Sequence, residues 1–307
     1  MGETQFRHAT LDDTAAISAL LQAQIPVWQR IDAHGTVQNL PHAQLSIYER
    51  WQHGGAWMSI ETAAIHLSRL LRGAGMALIG EQDGRIVAYA ELYPGDEPAP
   101  FGRHLHLAHS VTDHHDPTLP NAMLRYAAGV ARSTGCQLLT RSTAPDESTL
   151  DAVPLATVQR YTLPTRTGQG FYKVNDHTNS SAAQIDGWQM PIGRTQSAAT
   201  HWEALWTRVW ELLPEVQARR THRLYISAAG HEALVCCQQQ LYNPRAADLY
   251  CWSPKPVTPP LLTALRDWAH RQEYRALACV VHPQTVALLG SEAEPDPYIR
   301  QIYAIQL

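Results

Sequence analysis

The sequence has few charged residues, and neither sign dominates among them. Charged residues make up 17% of the 307 residues, hydrophobic residues make up 45%, and the formal net charge is -4. This composition is typical of a globular protein and excludes an intrinsically disordered chain. The basic excess that marks nucleic-acid-binding domains is missing, so we expect no nucleic-acid partner.

Cysteine is scarce, and long apolar runs are missing. The cysteines are odd in number and lack the spacing of metal ligands: Cys136, Cys236, Cys237, Cys251 and Cys279. Reduced thiols in the cytosol are the simplest explanation. No apolar run has the length of a membrane-spanning helix, and the N-terminus lacks the cationic and apolar regions of a secretion signal. We therefore expect a soluble, cytoplasmic protein with no membrane partner.

Several catalytic motifs are also missing. The sequence contains no Gly-x-Ser-x-Gly, Walker loop, His-Glu-x-x-His or dinucleotide fingerprint. Histidines are dense in one stretch, at His104, His106, His109, His114 and His115. No Asp or Cys completes a recognisable ligand set with them, so we predict no metal site.

The most informative stretch runs from His104 to Ser142. Residues 104–111 alternate between polar and apolar side chains, which predicts a strand with unequal faces. After a polar loop, Pro120 marks the first turn of a helix that ends at Thr134-Gly135, and residues 137–142 form a return strand. This spacing predicts a parallel crossover, and the loop after its first strand is a common ligand-binding position.

The two halves of the chain have nearly the same predicted order of elements, namely a helix, a hairpin, a strand, a crossover helix and a strand. In the first half, Thr10 and Asp13 resemble a capping box before the helix, and Asp83-Gly84 forms the hairpin turn. The remaining first-half predictions are helices over 40–54 and 59–72, a weak helix over 145–161 and a short strand over 170–174.

The second half repeats the order without obvious sequence identity. Its predicted elements are a strand over 188–194, a helix over 201–216, a hairpin around Ala229-Gly230, a strand over 248–252, helices over 260–271 and 284–289, and strands over 276–281 and 298–307. Because this period is much longer than that of a solenoid, we predict two copies of one α/β domain. A polar segment over 176–181 places the boundary between domains of residues 1–178 and 182–307.

Three segments together resemble the GNAT N-acetyltransferase family over most of residues 4–176. They are Phe6 to Asp13 before an apolar helix, the Asp83-Gly84 hairpin, and Gly170-Phe171. The second half resembles the family by element order only, a tandem layout similar to that of mycothiol synthase. The resemblance implies two GNAT-like domains with mixed sheets, the second degenerate. It also implies an acyl-CoA N-acyltransferase that moves an acetyl or acyl group from acetyl-CoA to the amine of a small molecule.

The resemblance also implies the positions of the site residues. It suggests Tyr161 as the general acid, His109 on the central strand as the general base, and Glu91 as a second candidate base. The family's phosphate-binding loop would cover His115 to Pro120. The candidate cofactor-binding residues are therefore Ser110, Val111, His115, Asp116, Thr118, Pro120, Asn121 and Ala122.

The expected phosphate loop contains no glycine, and side chains obstruct the close approach of a phosphate. Asp116 adds negative charge, and Pro120 removes an amide donor. The equivalent stretch of the second half, residues 253–260, is rich in proline. Two functions stay open, an acyltransferase active in its first domain and a catalytically inactive tandem protein that binds a small ligand or a protein partner. Aminoacyl transfer from charged tRNA is disfavoured by the acidic balance.

Overall fold

The structure is a computed structural model that describes residues 3–32, 35–145, 152–168, 170–179 and 181–307. The chain forms two compact units. The first comprises Met1–Tyr93 and Leu107–Gly135, and the second comprises Pro94–His106 and Cys136–Leu307. Among the described residues, no helix combines the length and the apolar character that a membrane-spanning helix needs.

The first unit is a sheet of four neighbouring strands with helices packed on it. Its elements in chain order are β1 (Gln5–His8), α1 (Thr14–Gln22), β2 (Gln29–Ile31), β3 (Val37–Asn39), α2 (Ile47–Trp51), α3 (Ile60–Arg69), β4 (Met76–Gln82), β5 (Arg85–Glu97), β6 (Gly102–Thr112) and α4 (Leu119–Ser133). The strand order is β1-β4-β5-β6, and β4 pairs antiparallel with both β1 and β5. Strands β5 and β6 continue into the second unit.

The β4-β5 hairpin is the best example of a local signal that fixes local structure. Asp83 and Gly84 have φ angles of 50° and 75°, which Gly adopts freely and Asp tolerates in a tight turn. The strands that they join bury Leu78, Ile79 and Tyr89 completely. The predicted hairpin is therefore confirmed, as is the capping box between Thr10 and Asp13.

Helix α4 is also positioned by its own sequence. Pro120 lies in the first turn, where the missing amide of proline costs no helical hydrogen bond. Met123, Ala127 and Ala131 are fully buried along one face, and the chain leaves the helix through Gly135 at a φ of 73°. The loop 113–118 is thereby held at the start of a packed helix.

The second unit is a larger mixed sheet. Its further elements are β7 (Leu138–Thr143), β8 (Val153–Pro164), β9 (Tyr172–Asp176), β10 (Gln189–Ile192), α5 (Ala198–Leu205), α6 (Pro214–Gln217), β11 (Thr221–Ala228), β12 (His231–Gln239), β13 (Ala246–Ser253), α7 (Pro259–Arg271), β14 (Ala276–Val281), α8 (Pro283–Leu289) and β15 (Glu294–Gln306). The strand order from β7 is β7-β15-β8-β14-β10-β13-β12-β11-β9. Strands β13 and β14 are parallel and are joined by α7, as the crossover pattern predicts.

The predicted helix over 145–161 is wrong where the structure describes it, because residues 153–164 form strand β8. This strand pairs antiparallel with β14 on one side and with β15 on the other. Both partners lie more than a hundred residues away in the chain, so no local pattern shows that they satisfy the backbone of β8. Residues 146–151 of the predicted helix lie outside the described residues.

Two predicted long helices are wrong, because each of these segments forms shorter helical turns instead. The helix predicted over 201–216 is α5, a 3-10 turn over Arg208–Leu212, and α6, since Pro214 starts a new helical turn. The helix predicted over 40–54 contains only a 3-10 turn and α2. The compact units also do not follow the boundary near residue 180, and the assignment of residues 1–178 and 182–307 to two domains stays a prediction.

Candidate functional site

A buried carboxylate is the centre of the first unit's polar interior. Glu91 on β5 is 6% exposed. Its Oε2 accepts hydrogen bonds from Trp57 Nε1 at 3.2 Å, His66 Nε2 at 3.0 Å and the Tyr89 hydroxyl at 3.0 Å. Its Oε1 accepts one from the Tyr93 hydroxyl at 2.5 Å. We call these five residues the Glu91 cluster.

The local structure explains how the Glu91 cluster forms. Tyr89, Glu91 and Tyr93 are two residues apart on β5, and side chains at that spacing point to the same face of a strand. His66 comes from α3, and Trp57 comes from the 3-10 turn that precedes it. The Trp57 ring meets the rings of His66 and Tyr89 edge-on, with centroid distances of 5.4 and 4.9 Å.

The charge of Glu91 is stabilised by its donors. Burial by itself raises the pKa of this carboxyl, but the adjacent His66 and the hydrogen bonds from Tyr93 and Trp57 outweigh burial and hold the pKa below its usual range. In turn, burial and the Glu91 charge raise the pKa of the Tyr89 hydroxyl well above its usual value. Glu91 is therefore ionised, and four side-chain donors already occupy its oxygens, which makes it a weak base.

His109, the predicted base, lies beside this cluster on β6. Its ring is 6.5 Å from the Tyr89 ring, measured between centroids. The protein atoms packed around His109 lower the pKa of its imidazole, while the Glu91 charge opposes that shift. The side chain nevertheless keeps contact with solvent. His109 is therefore neutral near pH 7 and accessible, which is what accepting a proton requires.

Tyr161, the predicted acid, is in a different setting. It belongs to the second unit and lies on β8 rather than near the end of a helix. Its hydroxyl donates to Gln159 Oε1 at 3.2 Å, and its ring packs against the apolar core of the second unit. Tyr161 is thus not a member of the Glu91 cluster.

The loop before α4 uses its own carboxylates to hold its amides. Asp116 Oδ1 accepts from the amide of Thr118 at 2.9 Å and from the Thr118 hydroxyl at 2.6 Å. Asp113 Oδ1 accepts from the amide of His115 at 3.0 Å. The Thr118 hydrogen bonds lower the pKa of the Asp116 carboxyl, so this carboxyl is ionised at neutral pH.

The other candidate cofactor-binding residues surround this loop. Ser110 and Val111 lie just before the last residue of β6. Pro120 and Asn121 are exposed in the first turn of α4, and the amide of Ala122 donates to Thr118 O at 3.1 Å, inside the helix. Because side-chain or backbone acceptors already take the amides of His115, Thr118 and Ala122, this loop does not fit a pyrophosphate. The structure therefore disagrees with an anion site of the glycine-rich kind.

In the second unit, a short strand lies between two parallel strands where they separate. Parallel strands β13 and β14 pair over Ala246–Leu249 and Ala276–Cys279 and then separate. Strand β10 lies between them beyond that point, where Ile192 pairs with Cys251 of β13 and with Val281 of β14. The amide of Gly193 continues this link by donating to Val280 O at 2.7 Å. A segment of the chain itself thus fills the gap between the parallel strands.

The dense histidines separate into different environments. His104 and His106 belong to the second unit and are buried, with Nδ1 atoms 2.9 Å from Gly102 O and from the Thr140 hydroxyl. His109, His114 and His115 belong to the first unit. Within the described residues, no group of three His, Cys, Asp or Glu side chains has the arrangement of a metal site.

Comparison with known proteins defines the fold. No protein-family model matches the sequence, and no curated protein matches it either. Solved structures do match. A GCN5-related N-acetyltransferase from Anabaena variabilis has a TM-score of 0.61 and 7% identity, over 98% of this chain and 72% of that one.

Two other solved structures give the same result. A probable N-acyltransferase from Enterococcus faecalis has a TM-score of 0.59 and 9% identity, over 98% of this chain and 72% of that one. A GCN5-related N-acetyltransferase from Kribbella flavida has a TM-score of 0.57 and 10% identity, over 98% and 71%. The chain therefore has the fold of the GNAT N-acetyltransferases, as its sequence predicts, whereas the specific likeness to mycothiol synthase stays a prediction.

The sequence predicts Glu91 of this cluster and the neighbouring His109 as site residues. It does not predict Trp57, His66 or the two tyrosines. The alternation of Tyr89, Glu91 and Tyr93 along one strand is the signal that could have revealed the tyrosines. Nothing near Trp57 or His66 in the sequence indicates that they meet Glu91.

Proposed function

We propose that this protein is an N-acyltransferase that acylates the amine of a small molecule, with His109 as the general base. The observation that carries the proposal is the position of His109 beside the Glu91 cluster, in a chain with the GNAT fold. A substrate amine is protonated near neutral pH and must lose a proton before it attacks an acyl group. A neutral, solvent-accessible imidazole is suited to take that proton.

The Glu91 cluster supports His109 rather than replacing it. Glu91 is saturated by four donors, so we assign it a positioning and electrostatic role and not the role of a second base. When His109 takes up a proton, the nearby negative charge of Glu91 stabilises the imidazolium. The Tyr89 hydroxyl donates to Glu91, and its ring is near the His109 ring, so Tyr89 neighbours both groups.

The acyl donor that the GNAT fold implies is acetyl-CoA, which would supply the activated acyl group when bound. The start of α4 does not suit its pyrophosphate, because Asp113 and Asp116 place carboxylates there and occupy the amides of His115 and Thr118. We therefore assign no pyrophosphate contact to the residues 110–122 that the sequence suggested.

The same observation favours a second candidate function. A tandem GNAT-fold protein without catalytic activity, which binds a small ligand or a protein partner, needs no pyrophosphate site. The carboxylates at α4 and the insertion of β10 between β13 and β14 are both compatible with this function.

Two measurements on the full chain separate these functions. Acetyl-CoA is titrated into the protein by calorimetry, and thiol release is followed with a panel of small amines. The proposal expects saturable binding and amine-dependent thiol release that His109→Gln reduces by at least about a hundredfold, the usual contribution of a general base. His8→Gln, an exposed histidine on β1, is the matched control and should keep full activity. A folded protein that neither binds acetyl-CoA nor releases thiol would support the non-catalytic function.

A further inference from the structure

A partly open cavity lies within the second unit, beside β10. Its volume is about 280 Å³, at the lower end of the range of small-molecule pockets. Most of its wall is apolar and comes from the loop between β5 and β6, from β8 and from β10. These apolar residues include Pro98, Phe101, Leu155, Val158, Met190 and Pro191.

A buried ion pair forms the polar part of this wall. Arg194 and Glu97 line the cavity and are only 6% and 5% exposed. Arg194 Nη2 binds Glu97 Oε2. The other oxygen of Glu97 accepts from the amide of Ala198 at 3.1 Å and lies 3.7 Å from His104 Nε2. Both oxygens of Glu97 are therefore already bound to groups of the protein.

Arg194, by contrast, has more N–H donors than acceptors around it. A guanidinium carries five N–H groups in a fixed plane. Among the described residues, its acceptors are Glu97 and the carbonyl of Gln196, the latter at 3.5 Å. The Phe101 ring lies over one face of the guanidinium, 4.1 Å from the ring centroid, and keeps it in place. The unused N–H groups belong to a side chain that lines the cavity.

We propose that this cavity is a binding site for a small monocarboxylic acid with an apolar body. The carboxylate would accept hydrogen bonds from Arg194, and the body would fill the space between Phe101, Leu155, Val158 and Met190. A guanidinium is the group best matched to a planar carboxylate, because it offers parallel N–H donors together with charge.

The residues that line the cavity do not suit an amine or a dianion. An amine would need an acceptor, and within the described lining the carboxylate of Glu97 is fully engaged by Arg194 and Ala198. A dianion would add two negative charges beside Glu97, whereas the described lining holds one guanidinium, that of Arg194, and no ammonium group. The remaining polar side chains of the described lining include no further carboxylate, and they are Gln189, His282, Gln284 and Thr285.

The ligand class is tested with three probes of one shape. Phenylacetate, phenylacetamide and phenethylamine are each titrated into the full chain, and binding is followed by NMR chemical-shift changes and calorimetry. The site predicts saturable binding of phenylacetate, at least tenfold weaker binding of the neutral amide, and no saturation with the amine. Equal binding of the acid and the amide, or tighter binding of the amine, would overturn the assignment to a carboxylate.

Three variants test whether phenylacetate binds in this cavity. Ala156 lines the cavity on β8. Ala156→Phe adds a ring to this wall and changes neither residue of the ion pair, so it should abolish phenylacetate binding. Thr157→Phe, the next residue of the same strand but not part of the lining, is the matched control and should bind normally. Arg194→Lys keeps the charge opposite Glu97 but loses the planar fork, so it should weaken binding at least fivefold while the protein stays folded. Unchanged affinity in Ala156→Phe would show that the probe binds elsewhere.

This site and the proposed acyltransferase activity stand on different residues. Phenylacetate at saturation should not compete with acetyl-CoA, so the affinity for acetyl-CoA should stay the same. His109→Gln should leave phenylacetate binding intact. Failure of either proposal can therefore be recognised without the other.

Discussion

The guanidinium of Arg7 binds both carboxylate oxygens of Asp13, with Nη1–Oδ2 and Nη2–Oδ1 distances of 2.8 and 2.9 Å. The same carboxylate accepts from the amide of Thr10 at 2.7 Å and so closes the capping box before α1. The hydrogen bonds from Arg7 are the main reason why the pKa of Asp13 falls to about 2. One side chain thus links β1 to the start of the first helix.

This link predicts a pH-dependent contribution to stability. Because the pKa of Asp13 is lower in the folded protein than in the unfolded chain, the contribution is full above about pH 4 and is lost as pH falls through about 2. Asp13→Asn should reduce the free energy of unfolding at pH 7 by about 1–2 kcal/mol, since Arg7 is partly exposed and solvent screens the pair. Urea unfolding at several pH values measures this, with exposed Asp12→Asn as the control. An equal effect of both substitutions at pH 7 would contradict the prediction.

Removal of the Glu91 charge should change the titration of His109. The charge of Glu91 raises the pKa of His109 against the larger opposing effect of the surrounding protein. Glu91→Gln should therefore move the protonation of His109 to lower pH. NMR titration of the ring resonances measures this shift, with His109→Gln to assign the signal. Glu232→Gln, a carboxylate on β12 of the second unit, should leave the titration unchanged. A rise in the His109 pKa in Glu91→Gln would contradict the electrostatic role assigned to Glu91.

Opening the loop before α4 should improve coenzyme A binding. Asp116→Gly combined with Pro120→Gly removes a negative charge, frees the amide of Thr118 and adds an amide in the first turn of the helix. We expect the affinity for acetyl-CoA to rise about tenfold or more in calorimetry. Glu232→Gln on β12 also removes one negative charge, but it lies in the second unit, and it should have little effect. No gain in a protein with native circular dichroism would count against the loop argument.

The position of β10 depends on a glycine that no other residue can replace. Gly193 has a φ of 90°, and a Cβ on it would lie 2.6 Å from Tyr250 Cδ1 and 2.8 Å from Leu249 O. Gly193→Ala should therefore reduce the free energy of unfolding by at least about 3 kcal/mol, from strain and overpacking together. Gly187→Ala is the matched control, because Gly187 has a φ of 75° but open space around it. Its cost should be only about 1–2 kcal/mol in thermal or urea unfolding. Similar costs for both would show that β10 tolerates the added side chain.

Only part of the candidate site could be predicted from the sequence. His109 and Glu91 lie on strands with clear sequence patterns, and both residue types suit acid-base chemistry. Two of the four partners of Glu91, Trp57 and His66, come from a 3-10 turn and a helix that lie 34 and 25 residues earlier in the chain. The spacing of these residues in the sequence does not indicate that their side chains are in contact. The difference between a base and a saturated carboxylate is therefore visible only in three dimensions.

The sequence by itself determined the elements whose signals are local. The turns at Asp83-Gly84 and Ala229-Gly230, the capping box at Thr10 and the proline start of α4 all depend on neighbouring residues, and the structure has each of them. Only the tertiary structure decided that residues 153–164 form a strand and that β10 fills the gap between β13 and β14. The physical reason is that a strand is stabilised by hydrogen bonds to partners that lie far away in the chain, whereas a turn or a helix cap is satisfied within a few residues.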